Sequence, residues 1–223
     1  MRYHVVLVNP ARGAHVGFAA RAIKTMGLSS LRLVNADLQH RKEARKTGYG
    51  SHDILDQTQT YTDLEEALRD LDLTIGTTSK PRIKRYDTHS PAEISRIIQS
   101  KEGSLKQVGL VFGSEENGLS TEELDHCDLV STIPMNTDYP SLNLSQSVLI
   151  YAWELSNTVE ITEGKSANDR LQAKVKKQSL QLLDSLGLNQ KPLVRQRIMD
   201  RVMLLGESDL ELLAGILDKL SQR

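Results

Sequence analysis

Apolar runs alternate with segments of helical periodicity up to about residue 159. Continuous apolar runs predict buried strands at residues 3–8, 31–34, 73–75, 108–112 and 129–133. Apolar residues three or four positions apart predict helices between and after these strands, at residues 16–26, 63–71, 91 onwards and 144–155. This alternation is typical of an α/β protein with a mostly parallel sheet and helices on both faces.

The alternation of strands and helices ends at about residue 159. A polar stretch, GKSAND, is followed by residues 171–223, which keep helical periodicity without a credible strand. Glycine and proline interrupt the periodicity near Gly187, Pro192 and Gly206, which predicts three helices. The predicted division is an α/β domain at residues 1–160 and an all-helical extension at residues 165–223. The extension could clasp a partner or cover a subunit interface.

Composition and charge are those of an ordinary globular protein. Of the 223 residues, 39% are hydrophobic and 26% are charged, and the net charge is −1. No protein-wide positive field therefore indicates a nucleic-acid partner. Local basic clusters occur at residues 41–46, 80–85 and 195–201. A solvated surface is the simpler interpretation of any one of them.

Cysteine and histidine usage argues against a metal centre. Cys127 is the single cysteine, which excludes an internal disulfide and a zinc site made of several thiolates. The six histidines show no metal-ligand spacing, so no metal is expected. No apolar run approaches the length of a membrane span, and the first residues lack a signal-peptide pattern. We expect a cytoplasmic protein without membrane contact.

Two segments in the middle of the chain have the composition of ligand-binding loops. In LVFGSEENGLS, residues 110–120, an apolar strand enters a loop bounded by Gly113 and Gly118, and Ser120 with Glu123 predicts a capped helix start. Taken alone, this segment is best interpreted as a plain strand–turn–helix connection. The second segment follows about twenty residues later, and two such loops this close in sequence predict one shared pocket.

That second segment is IPMNTDYPSLNLSQSVLIYAWEL, residues 133–155. Ser141, Asn143 and Ser145 alternate there with leucines just before an apolar helix. Helix capping is the simplest explanation of polar side chains at a helix start. One cap needs one oxygen, however, so three such residues are more than a cap requires.

A third segment lies near the beginning of the chain. The loop at residues 9–17 leads into a helix that carries Arg21, and Gly17 lies four positions before it. An arginine above a glycine would leave open backbone beneath a cation, which suits a phosphate or a carboxylate. A solvated surface arginine is an equally good interpretation.

The order of these segments resembles the motifs of the TrmH/SpoU family of SPOUT methyltransferases, which methylate ribose 2′-hydroxyls in RNA. The matching segments are NPARGAHVGFAARAIKTMG, LVFGSEENGLS and IPMNTDYPSLNLSQSVLIYAWEL, and the resemblance spans about residues 1–159. The GTTS segment at residues 76–79 and the helical extension are most similar to the TrmJ/LasT-like subgroup. Members of this subgroup act on, or are assigned to, tRNA or rRNA, and tRNA is favoured here.

The resemblance implies a C-terminal trefoil knot in the α/β domain, a feature that local sequence physics does not predict. It also implies that S-adenosylmethionine binds in the knot, largely through backbone groups. Transferred to this chain, the cofactor-binding residues are Thr77, Thr78, Ser79, Gly113, Ile133, Met135, Pro140, Ser141 and Leu142.

The catalytic residues implied by the resemblance are Arg21, Ser141 and Asn143, with His15, Arg21 and Glu115 in contact with the substrate. Arginine is a poor base because its pKa lies above about 12. Phosphate anchoring and hydroxyl polarisation are therefore its first role, and proton removal its second. Where the family usually has Asn, this chain has His15, which could donate a hydrogen bond or accept the proton itself. The structural role is favoured.

The family resemblance also implies RNA as partner and a homodimer whose active sites take groups from both subunits. The few charges in the helix at residues 144–155 agree with burial against a second copy. Residues 41–46 and 80–85 become candidate RNA contacts. Two alternatives stay open: a methyltransferase of the same fold that acts on an RNA base, and an RNA-binding protein without turnover, for which His15 is the only indication.

Overall fold

A seven-stranded parallel sheet forms the centre of the computed structural model, which describes residues 1–36, 38–79, 86–101, 103–136, 142–156 and 168–221. All pairings between neighbouring strands are parallel, and the strand order is β3-β2-β1-β6-β4-β7-β5. The α/β fold with a parallel sheet is thus confirmed. The strands are β1 Arg2–Val8, β2 Ser30–Val34, β3 Gln59–Tyr61, β4 Leu73–Thr77, β5 Thr88–His89, β6 Gln107–Phe112 and β7 Leu129–Ser131.

Helices follow most of the strands. Seven belong to the α/β part of the described chain: α1 Gly13–Thr25, α2 Leu38–Thr47, α3 His52–Asp56, α4 Leu64–Leu68, α5 Pro91–Ser100, α6 Thr121–Asp125 and α7 Leu144–Ser156. Three more form the extension: α8 Asn168–Ser185, α9 Pro192–Met203 and α10 Glu207–Ser221, with a 3₁₀ turn at Leu188–Gln190. The three helices predicted for the extension are confirmed.

Apolar side chains fill the space on both faces of the sheet. Along β1, Val5 and Leu7 join the cluster beneath α1, α5 and α7, whereas Val6 and Val8 join the cluster beneath α4 and α6. Successive side chains of a strand point to opposite faces, so a strand covered on both sides must be apolar throughout. This explains why continuous apolar runs identified the central strands.

Helix ends agree with the predicted caps. Ser120 accepts a hydrogen bond from the Glu123 N–H, and the Glu123 carboxylate accepts one from the Ser120 N–H. Ser90 and Glu93 form the same capping box at the start of α5. Gly27, with φ +72°, follows the end of α1 in the left-handed conformation that glycine favours.

The sequence pattern missed several short or polar elements. Strands β3 and β5 lie at the two edges of the sheet and have only three and two residues, too few to show a periodicity. Helix α2 has the sequence LQHRKEARKT, in which few apolar residues mark a buried face. Strand β7 ends at Ser131, two residues earlier than predicted, and Ile133 lies in the following loop.

The extension has a small core of its own and also contacts the sheet. Its core contains Val175, Val202, Leu210, Ala214 and Leu217. Polar contacts attach it to the α/β part: Lys176 Nζ lies 2.8 Å from Asp128 Oδ2, Lys101 Nζ donates to Leu205 O at 3.0 Å, and Gln196 Nε2 donates to Cys127 O.

Residues 80–85 and 137–141 lie outside the described residues, so the trefoil knot stays a prediction. Among the helices of the described chain, none has the length and apolar character needed to cross a bilayer.

Candidate functional site

A pocket opens where the loops after β4, β6 and β7 meet. These three strands are neighbours in the order β6-β4-β7, and because they are parallel, their carboxyl ends lie at the same edge of the sheet. The loops are also tied together directly. Thr78 N donates to Ser131 O at 2.9 Å, and Thr77 Oγ1 donates to Val111 O at 2.9 Å.

Seven of the residues predicted to bind the cofactor line this pocket: Thr77, Thr78, Ser79, Gly113, Ile133, Met135 and Leu142. The other two predicted residues, Pro140 and Ser141, lie outside the described residues. The cavity has a volume of about 160 Å³, opens to solvent, and combines apolar walls with polar groups of the loops. Two sequence segments that were expected to share a pocket do so.

Strand β6 and helix α7 form a side of the pocket that the sequence motifs did not predict. Phe112, Ser147 and Tyr151 also line the cavity. The rings of Phe112 and Tyr151 meet edge to face with centroids 5.6 Å apart, and Tyr151 Oη donates to Ser131 Oγ at 2.7 Å. Leu144, Ser147 and Tyr151 are three and four residues apart, so they share a face of α7. That spacing was the available signal.

The glycine-bounded loop turns back on itself. A Cβ atom on Gly113 would lie 2.0 Å from the carbonyl carbon of Gly118 and 2.2 Å from Leu119 N. Gly118 has φ +66°, and its N–H donates to Ser114 O at 2.8 Å. The tight turn is confirmed, but the space that Gly113 leaves free is filled by the chain itself rather than left open for a ligand.

His15, Glu115 and Asn143 come together beside the pocket, although they belong to three different segments. His15 Nδ1 lies 2.6 Å from Glu115 Oε1, and His15 Nε2 lies 3.1 Å from Asn143 Nδ2. Glu115 Oε2 also accepts from Ala11 N at 2.7 Å. His15 and Glu115 meet because β1 and β6 are adjacent and parallel, so the loops that follow these two strands lie side by side.

Burial and hydrogen bonding act in opposite directions on Glu115. Desolvation alone would raise its pKa, but hydrogen bonds from Ala11 N–H, from its own N–H and from His15 outweigh this, and the pKa lies below its usual value. Glu115 is therefore an ionised acceptor. Its side chain and that of His15 each keep only 15% of their surface exposed.

Asn143 has two structural roles. Its Oδ1 accepts from Ser145 N at 3.0 Å and from Ser145 Oγ at 2.8 Å, and its own N–H donates to Gln146 Oε1 at 3.1 Å. These bonds cap the start of α7, as the simplest interpretation of the segment predicted. The amide nitrogen of Asn143 faces His15 instead, so capping uses only part of this side chain.

Arg21 is separated from the pocket. It lies exposed on α1, in a shallow groove between α1 and α7 that also includes Phe18, Ser145, Gln146 and Leu149. Its guanidinium is not among the groups that line the pocket. The start of α7 connects the two sites. Asn143 contacts His15 beside the pocket, and Ser145, two residues later, lines the groove that holds Arg21.

The prediction of open backbone beneath Arg21 is wrong. Gly17 is buried, and a Cβ atom there would lie 2.1 Å from Thr47 Oγ1 and 2.3 Å from Ala44 O. The glycine therefore permits close packing of α1 against α2 and offers no surface to an anion. The sequence pattern did not reveal α2, which occupies this space.

The predicted basic clusters are only partly available as RNA contacts. Arg45 pairs with Asp56, and Arg201 Nη2 lies 2.8 Å from Asp87 Oδ2. Lys42 and Lys46 are exposed on α2. Residues 80–85 and the side chain of Arg41 lie outside the described part of the chain.

The described part of the chain contains no metal-binding group. Within the described residues, no set of three or more His, Cys, Asp or Glu side chains could hold a metal ion. Cys127 is buried, and burial raises the pKa of its thiol.

Comparisons with known proteins agree with this geometry. The LasT protein of Escherichia coli (strain K12), named an uncharacterized tRNA/rRNA methyltransferase, is 34% identical over 220 residues, which are 97% of this chain and 96% of LasT. The tRNA (cytidine-2′-O-)-methyltransferase TrmJ of Methanocaldococcus jannaschii is 35% identical over 155 residues, 68% of this chain and 66% of that protein.

Structural similarity extends over almost the whole chain. The crystal structure of TrmJ from Z. mobilis ZM4 has a TM-score of 0.68 at 26% identity and covers 99% of this chain and 100% of that one. The model of the SpoU rRNA Methylase family matches residues 2–153. The predicted membership is confirmed, and the chain belongs to the SpoU rRNA methylase family.

Proposed function

We propose that this protein is an S-adenosylmethionine-dependent methyltransferase that acts on a ribose 2′-hydroxyl of structured RNA, with tRNA favoured over rRNA. The observation that carries the proposal is the convergence of the loops after β4, β6 and β7 on one pocket in a member of an RNA methylase family. The two relatives named for tRNA or rRNA methylation support RNA as the partner. A tRNA or rRNA substrate would also place the protein in the cytoplasm.

The pocket fits the cofactor that methyltransferases of this family use. Apolar side chains, among them Ile133 and Leu142, can cover an adenine ring, and the loop backbone at Gly113 lines the same cavity. When bound, S-adenosylmethionine supplies a methyl group on a positively charged sulfur. Ser141 and Pro140 complete the proposed set of cofactor-binding residues.

The residues around the pocket have to align the ribose and help to remove its proton. A ribose oxygen that attacks a methyl carbon must lie in line with the bond that breaks, so positioning accounts for much of the rate. Arg21 is proposed to anchor an RNA phosphate and to polarise the hydroxyl, with proton removal as a second possibility. Asn143 and Ser141 are proposed to position the ribose, and Glu115 and His15 support them.

A homodimer would explain why Arg21 lies away from the pocket. Helices α1 and α7 present large exposed apolar side chains: Phe18 and Leu149 line the groove that holds Arg21, and Trp153 follows Leu149 one helical turn later. Burial of this face against a second copy would bring the arginine of one subunit close to the start of α7 in the other. Each active site would then take groups from both subunits.

Transfer of label from tritiated S-adenosylmethionine to bulk unmodified RNA tests the proposed reaction. Label in an alkali-resistant dinucleotide is the expected result, because a methylated 2′-oxygen cannot attack the neighbouring phosphate. Label released in mononucleotides would indicate base methylation, and RNA retained on the filter without label would indicate a binding protein without turnover. Either of these two results would overturn ribose methylation.

Substitution of Arg21 tests its proposed role. Arg21→Ala should lower kcat by about 10²- to 10³-fold, as expected when a group that stabilises the transition state is removed. Affinity for S-adenosylhomocysteine, measured by calorimetry, should stay within twofold, because the guanidinium does not line the pocket. Arg96→Ala, at an exposed arginine of α5, is the matched control and should behave as the wild type.

A further inference from the structure

His15 connects two groups that the proposed reaction needs in fixed positions. We propose that His15 is a positioning residue, a neutral imidazole with its proton on Nδ1, which holds Glu115 of the pocket loop and Asn143, the residue before α7, in one unit. This inference rests on the proposed function but makes a separate claim about the state of the ring.

The orientation of the Asn143 amide is determined by its own helix. Its Oδ1 accepts hydrogen bonds from Ser145 N at 3.0 Å and from Ser145 Oγ at 2.8 Å. If the amide were turned over, its NH₂ group would face the Ser145 N–H, and two donors would oppose each other. The amide nitrogen must therefore face His15, at 3.1 Å from Nε2.

The hydrogen-bond network then assigns the tautomer of His15. Because Asn143 Nδ2 can only donate, His15 Nε2 must accept, and the proton of the neutral ring is on Nδ1. Nδ1–H donates to Glu115 Oε1 at 2.6 Å. Glu115 is an ionised acceptor, as shown above, and Ala11 N–H occupies its second oxygen at 2.7 Å. Every bond in this chain of contacts has one donor and one acceptor.

Two consequences follow for the reaction. Both ring nitrogens of His15 are occupied, so the imidazole is not the base that accepts the ribose proton. One N–H of the Asn143 amide is also used by His15, which leaves the second N–H to donate to a ribose or phosphate oxygen. Glu115 belongs to the loop that lines the pocket. The link through His15 therefore holds the Asn143 amide at a fixed position relative to the pocket wall.

The ring state can be measured without any activity. Two-bond ¹H–¹⁵N correlation spectra of the ¹⁵N-labelled protein with S-adenosylhomocysteine distinguish the Nδ1–H tautomer, the Nε2–H tautomer and the charged ring. The His15 signals are assigned by their loss in His15→Asn, with His52→Asn, at an exposed histidine of α3, as the matched control. We expect the Nδ1–H tautomer, and either of the other two states would overturn the proposal.

A substitution of Asn143 tests its contact with His15 from the other partner. Asn143→Asp keeps an acceptor for Ser145 but places a carboxylate oxygen opposite His15 Nε2. The ring should then carry protons on both nitrogens, because it would lie between two carboxylates. If the ring of this variant kept a single proton on Nδ1, the contact with Asn143 would not determine its state, and the proposal would be wrong.

Kinetics separates positioning from a purely structural role. His15→Ala should lower kcat for methyl transfer by about 10- to 100-fold, while affinity for S-adenosylhomocysteine changes less than twofold. An unchanged kcat, or an equal loss of cofactor affinity, would overturn the positioning role. Failure of the proposed function would look different: the wild type would transfer no methyl group to a ribose 2′-hydroxyl, yet the tautomer of His15 could still be determined.

Discussion

Individual side chains in this protein serve two purposes with different atoms. From the sequence, capping and substrate positioning looked like competing explanations for the polar residues before α7. In the structure, the oxygen of Asn143 caps the helix while its nitrogen meets His15. Sequence spacing could identify the residue but not the division between its atoms, because that division depends on a histidine 128 positions away.

Gly17 shows why the role of a glycine is hard to predict from its own segment. Its spacing from Arg21 suggested an open anion site, whereas its actual neighbour is α2. Helix α2 has few apolar residues, so the sequence pattern showed neither the helix nor its close approach to α1. What excludes a side chain at this position is tertiary packing.

Gly17→Ala should therefore destabilise the fold. The new Cβ would lie 2.1 Å from Thr47 Oγ1 and 2.3 Å from a backbone oxygen, so α1 and α2 would have to separate, at a cost of about 1–3 kcal/mol or more. Urea unfolding followed by circular dichroism measures this change in the free energy of unfolding.

The same substitution at Gly215 is the control. Gly215 is an exposed position in the middle of α10, and nothing lies within 4 Å of its added Cβ. Gly215→Ala should stabilise the protein by about 0.5–1 kcal/mol, because alanine loses less backbone entropy in a helix. Equal changes in the free energy of unfolding for both substitutions would show that close packing does not restrict the size of the residue at position 17.

At the scale of elements, the central strands and most helices could be predicted because burial on both faces leaves a clear apolar pattern. Parallel strands also place their following loops at one edge, so a shared pocket could be expected. The lateral order β6-β4-β7, which makes the three pocket loops neighbours, has no signature in local sequence. The family resemblance supplied the missing relation between Thr77, Gly113 and Ile133.

The exposed faces of α1 and α7 lead to a prediction about assembly. If they are buried in a homodimer, Leu149→Glu should raise the dissociation constant by roughly thirtyfold or more, since a charge would replace an apolar contact worth about 2 kcal/mol. Trp153 is the only tryptophan and is 56% exposed, so its emission should shift to shorter wavelength as the dimer forms.

Sedimentation velocity at micromolar concentration provides the direct measurement. Leu212→Glu, at an exposed leucine of α10, is the control and should leave association unchanged if the interface is formed by α1 and α7. A wild-type protein that sediments as a monomer would contradict the dimer, and an equal effect of both substitutions would contradict the choice of face.

The whole molecule raises the question of how the extension relates to the α/β part. We propose two packed units, residues 1–160 and 165–223, because the extension has its own apolar cluster and the family model ends at residue 153. Charged side chains take part in their contact. Lys176 meets Asp128, Arg201 meets Asp87, and Met203 is the residue of α9 that joins the main core.

One buried carboxyl group makes this contact sensitive to pH. Asp200 of α9 has no exposed surface, and neither of its oxygens has a hydrogen-bond partner among the described residues. Burial, together with the charges of Asp87 and Asp128, raises its pKa to about 8. The group is therefore protonated in the folded protein at neutral pH, although an unfolded aspartate, with a pKa of about 3.9, would be ionised.

This difference determines the direction of the pH effect. Between about pH 4 and pH 8 the folded state holds one proton more than the unfolded state, so stability falls as pH rises, by at most about 1.4 kcal/mol per pH unit. Asp200→Asn replaces the carboxyl group with an amide that does not titrate, so this pH-dependent contribution to stability is absent from the variant. The variant should therefore gain stability relative to the wild type as pH rises from 6 to 8, and the gain should level off above that.

Urea unfolding midpoints at pH 6, 7, 8 and 9 measure the effect, and the difference between variants cancels the other titrating groups, including half-buried His89. Asp209→Asn, at an exposed position of α10, is the matched control and should run parallel to the wild type. If Asp200→Asn also runs parallel to the wild type, Asp200 is ionised when folded, and the extension then contacts the sheet less closely than the buried carboxyl implies.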